Sequence, residues 1–151
     1  MDLPEDIRRR FQAFGREGGR ARARRVPAAG RTAIARVAAL RRWVEDRFGN
    51  SRFDAMGLPG GEVIDRGLED LAWERETEES LMVSLAAPRL RREGVPLPTT
   101  LFPEADTRLY RLLERREGDL AHARYLARLR VLQSFADACR SVRKEPSPDE
   151  G

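Results

Sequence analysis

Three side chains that usually carry chemistry occur once each in the 151 residues: cysteine at Cys139, histidine at His122 and lysine at Lys144. One thiol cannot close an intrachain disulfide, and one cysteine with one histidine cannot supply the ligands of a structural zinc site or a haem attachment. Metal sites and cofactors are therefore expected to be none. His122 has no catalytic signature around it, and Cys139 falls in an apolar helical stripe, where a thiol acts as a small core residue. Gly60-Gly61 precedes a helical pattern but lacks the lysine and hydroxyl of a P-loop. No catalytic residue is assigned, and the chain is expected not to be an enzyme. It has no run near the ~18 apolar residues of a membrane span, and Asp2, Glu5 and Asp6 break the order of a signal peptide. A cytoplasmic protein without membrane contact is the expectation.

Arginine is abundant. It supplies 28 of the 29 positive charges, and twelve arginines fall between Ile7 and Trp43: Arg8, Arg9, Arg10, Arg16, Arg20, Arg22, Arg24, Arg25, Arg31, Arg36, Arg41 and Arg42. Glu17 is the only acid in that stretch, so its formal charge is +11. Phosphate backbones are the common partner of such density, because neutralised phosphates release counterions and the planar guanidinium matches their geometry. Charge then changes sign along the chain: net +7 over residues 1–50, −6 over 51–87 and +3 over 88–151. Glu74, Glu76, Glu78 and Glu79 read as helix-capping acids on a solvated junction rather than a metal cluster.

Periodicity predicts an all-α fold of about five to six helices, since no segment alternates as a strand does. Pro4 to Phe14 reads as a short helix, and Gly15 to Arg25 has no large apolar side chain to offset the entropy of ordering it. Residues 1–30 are thus expected to form a basic, largely flexible arm with a turn at 26–30, and residues 144–151 a disordered tail. Between them lies a helical domain. Its helices are expected over 32–48 with Ile34, Val37, Leu40, Val44 and Phe48 inward and arginines outward, over 62–73, and from Thr77 as N-cap until Pro88 kinks or splits the pattern. A proline-rich linker covers 94–103. Two more helices follow over 104–116 and 120–143, the last capped by Asp119 with Tyr125, Leu129, Leu132, Phe135, Ala136 and Cys139 buried.

Gly15-Arg-Glu-Gly-Gly-Arg-Ala-Arg-Ala, with Ile34-Ala-Arg and Leu40-Arg-Arg-Trp43, resembles a segment near the N-terminus of many small bacterial and phage proteins. Those read Gly-Arg-Lys-Gly-Gly-x-Ala-Arg-Ala, then a proline-bearing turn with acids and Ile-Ala-Arg-x-Ala-Ala. Glu17 stands in place of their lysine, and Val26 to Ala29 lacks their acids. The stretch from Gly57 to Leu90, with Arg108-Leu-Tyr and His122-Ala-Arg-Tyr125, looks like uncharacterised bacterial proteins of toxin–antitoxin loci. That resemblance implies an antitoxin-like role and supplies no catalytic residue.

The expectation is a binding protein, antitoxin-like or a small transcriptional regulator. Arg8, Arg9, Arg16, Arg20, Arg22, Arg24, Arg25, Arg36, Arg41 and Arg42 would engage nucleic acid, duplex DNA before RNA, while the helical body engages a protein partner such as a toxin. The alternative is a protein-interaction adaptor without a nucleic-acid role, its arm folded over an acidic protein surface. A further expectation is that the arm associates loosely with the chain's own acids over 62–79 and masks itself.

Overall fold

The computed structural model describes residues 4–10, 12–13 and 27–143. The glycine-arginine stretch and the tail expected to be disordered lie outside those residues. Among the described residues the fold is all-helical, with five helices and no strands: α1 (Ala28–Phe48), α2 (Gly61–Ala72), α3 (Glu78–Arg92), α4 (Ala105–Glu117) and α5 (Ala121–Val142). The chain divides into two units at Ala33 and Ile34, inside α1.

In the first unit, residues 5–10 and 12–13 are helical, and the Pro4 carbonyl accepts the N–H groups of Ile7 and Arg8. The expected turn over 26–30 is instead helical from Ala28 onward. Pro27 sits just before the helix, where its missing donor is harmless, and its carbonyl accepts the Arg31 N–H at 3.1 Å.

In the second unit the core gathers Leu40, Val44 and Phe48 of α1 with apolar residues of the other four helices. The stripe expected on α1 is right except at its start, where Ile34 is 51% exposed. Helix α2 packs on α3, α3 on α4, and α4 on α5, which also returns to α3. Phe53, which lies outside every helical pattern, is fully buried between Phe48 and Phe135, with edge-to-face centroid distances of 5.1 and 5.0 Å. The Asp65 carboxylate fixes that turn by accepting the N–H groups of Phe53 and Asp54 at 3.0 and 2.9 Å.

Thr77 caps α3 as expected, and a capping box completes it. Its hydroxyl accepts the Ser80 N–H, while the Thr77 N–H donates to the Ser80 hydroxyl at 2.8 Å. Pro88 does not split α3, which runs through it from Glu78 to Arg92; of the two expected outcomes, the split is ruled out. The proline costs one backbone hydrogen bond on an exposed face, and burial of Ala86, Ala87 and Leu90 around it holds the helix through. The stretch 94–103 has no regular structure but is no free linker: Val95, Pro96 and Pro98 are buried, and the Phe102 N–H donates to the Ser84 hydroxyl. Asp119 does not cap α5; a 3-10 turn, Gly118–Leu120, leads into it instead. Along α5, Leu132, Phe135, Ala136 and Cys139 are buried, whereas Tyr125 and Leu129 are only half-buried.

Candidate nucleic-acid interface

The ten arginines expected to meet nucleic acid separate into groups. Arg16, Arg20, Arg22, Arg24 and Arg25 lie outside the described residues. Arg8 and Arg9 are exposed in the N-terminal helical segment, where Arg9 pairs with Glu5 one turn away at 2.9 Å. Both partners of that pair are mostly in water, so it is weak and leaves the guanidinium open to competition.

Helix α1 does not present its arginines as one outward face. At 100° per residue, Arg36 and Arg41 flank the buried stripe on opposite sides, and each reaches an acid of the α2 end: Arg36 to Glu74 at 3.8 Å and Arg41 to Glu69 at 3.7 Å. Arg42 points away from the stripe and has no side-chain partner among the described residues. Trp43 beside it is 52% exposed.

The acidic middle has its own internal explanation. Arg66 pairs with Glu62 and Glu79, Arg108 with Glu76, and both Arg116 and Arg128 with Glu78. Asp70 is buried, accepts the Thr77 hydroxyl at 2.7 Å and lies 3.9 Å from Arg75. With Asp65 holding two backbone N–H groups, every acid from Glu62 to Glu79 has a partner within the helical body. Glu78 and Glu79 are therefore not merely capping acids on a solvated junction. Each also ties α3 to another helix, because their side chains meet arginines that the sequence places far away.

A second basic cluster escaped the sequence reading. Glu93, which ends α3, is 6% exposed and accepts two hydrogen bonds from Arg140, at 3.2 and 2.8 Å. The Arg140 hydrogen bond holds its carboxyl below the ordinary range; burial opposes this, and the charges of Arg140, Arg143 and Arg89 reinforce it. Arg47, at the end of α1, donates to the Gly94 carbonyl at 2.7 Å, and Arg143, just past α5, donates to the Arg92 carbonyl at 3.3 Å. Arg89 pairs with Asp137 at 3.0 Å. Basic residues in the last turns of α1, α3 and α5 were a visible signal, since cations suit helix C-termini. That three helix ends converge on one loop was not visible, because it depends on packing.

Other concave features are modest. A cavity of about 30 Å³ between α1 and α2, lined by Val37, Leu40, Val44 and Leu68 with Arg41 and Asp65, has room for little more than a water. Tyr110 stacks edge-on against Tyr125 at 5.4 Å and near exposed His122 at 6.2 Å, beside an open hollow of about 360 Å³. Burial pushes the Cys139 thiol up to about 12, so it stays protonated and unreactive at neutral pH. Among the described residues no group of three or more His, Cys, Asp or Glu is placed to hold a metal ion, and no helix is long and apolar enough to cross a membrane. No protein family, curated protein or solved structure matches this chain.

Proposed function

We propose that this chain is a non-enzymatic nucleic-acid-binding protein, antitoxin-like or a small transcriptional regulator, that meets duplex DNA phosphates through its arginine-rich N-terminal segment. The supporting observation is the internal pairing of the acids over 62–79: each one from Glu62 to Glu79 is engaged inside the helical body, so this most acidic stretch of the chain is already occupied. A polyanion from outside is the partner that the N-terminal surplus fits. The same pairing weighs against an arm that masks itself on 62–79, since it would have to displace arginines already there. Exposed Trp43, Leu120 and Leu126 offer apolar contacts to a protein partner.

Phosphate contacts carry little sequence information, so two unrelated duplexes should bind with similar affinity. Fluorescence anisotropy of labelled duplexes provides the test: six or more phosphate contacts imply a loss of about 10³-fold or more between roughly 50 and 200 mM salt. Absence of duplex binding, or binding insensitive to salt, would overturn this reading; strong binding of acidic proteins without duplex binding would favour the adaptor.

Arg36 and Arg41 form a reserve within this scheme. Their ion pairs are long and half-exposed, so competing phosphates can recruit them. Glu69→Gln with Glu74→Gln should tighten duplex binding at low salt more than Glu104→Gln with Glu114→Gln. Equal effects from the two double variants would mean that only net charge matters.

A further inference from the structure

We infer that the arginine cluster around Glu93 and Gly94 is a second phosphate-contact surface, on the helical body and separate from the N-terminal segment. It rests on the proposed function and adds to it a site that the sequence did not indicate.

The cluster is built as a phosphate surface would be. Arg47 and Arg143 are exposed, and each uses one N–H on a backbone carbonyl. A guanidinium carries five N–H donors in a fixed fork, so such a single bond orients the group and leaves the remaining edges for a ligand. Arg140 uses two donors on Glu93, and its side chain is still 63% exposed. Glu93 itself is buried beneath them, so it anchors the cations and does not face an approaching anion.

Charge decides whether anything is left for a ligand. Three helix C-termini meet here, and each contributes roughly half a negative charge. Together with Glu93 and Asp137 these bring about −3.5, against four positive charges on Arg47, Arg89, Arg140 and Arg143. About +0.5 remains, carried by the exposed outer edges of the guanidinium groups. Complementing the helix ends and two acids brings the arginines here and leaves the site slightly positive, with the donors that face solvent unused.

The test compares full-length variants by the salt dependence of duplex affinity. Arg47→Gln with Arg143→Gln should lower the log–log slope by about two units, because each lost phosphate contact removes about one. Arg111→Gln with Arg115→Gln removes two exposed cations of α4 and should leave the slope unchanged. Should the first variant fold poorly in thermal melts, Asp137→Asn tests the same surface without touching those arginines. It frees Arg89 and should tighten binding more than Glu114→Gln does. Equal slopes for the two arginine pairs, or equal gains from Asp137→Asn and Glu114→Gln, would overturn the inference and leave the N-terminal reading standing. A wild-type chain that does not bind duplex would overturn both.

Discussion

Phe135→Ala is expected to destabilise the helical body by roughly 3–5 kcal/mol, the range for deleting a fully buried aromatic ring. The ring has no exposure and stands edge-on against Phe53, which stands edge-on against Phe48. Its loss would leave a cavity where α5, the end of α1 and the turn Asp54–Met56 meet, and would also remove an aromatic pair worth ~0.5–1.5 kcal/mol beyond burial. Arg130→Ala, on the exposed side of the same helix, should change stability by less than about 0.5 kcal/mol. Urea unfolding followed by circular dichroism separates the two; similar midpoints would mean that the aromatic trio is not the centre of the core.

Gly67→Ala should destabilise as well, against the helix-propensity trend, which favours alanine by about 1 kcal/mol. A methyl group at Gly67 would lie 2.5 Å from the Glu79 carbonyl oxygen and 2.5 Å from Val83 Cγ2. The first of these is backbone of α3 and cannot rotate away, so α2 and α3 would have to move apart. Overpacking of this kind typically costs about 1–3 kcal/mol, enough to outweigh the propensity gain. A raised melting temperature for this variant would show that the two helices do not approach as closely as the structure has them.

Both predictions fall on features that the sequence showed unevenly. The helical class, the five stretches and the Thr77 cap were legible, because 3.6-residue periodicity and capping chemistry are local. Nothing local in the sequence marks Gly67 as the crossing point with α3. Phe53 lies between helices, outside any periodic pattern, and its central place depends on Asp65 gripping the turn from twelve residues away. Pro88 left a kink and a split both open, and the split is excluded because the proline's local cost is smaller than the burial on either side of it. Ile34 misled: it fits the stripe by spacing, yet it stands exposed.

The candidate site divides in the same way. Arginine density between Ile7 and Trp43 is a property of composition and needs no fold to be seen. The pairing of Arg36 with Glu74 and of Arg41 with Glu69 needs the fold, and it moves these two from an outward face to the flanks of the buried stripe. The acids of 62–79 could not be assigned partners in advance, because Arg108, Arg116 and Arg128 come from helices much later in the chain. Arg47, Arg140 and Arg143 were passed over for the same reason.

The central claim is that the N-terminal arginine surplus serves an external polyanion. Its most direct test is the salt dependence of duplex affinity for the full-length chain carrying Arg20→Gln, Arg22→Gln, Arg24→Gln and Arg25→Gln. The account predicts a log–log slope reduced by about three to four units, near one for each lost contact, in a variant whose melting transition is that of the wild type. A slope equal to the wild-type value would contradict it.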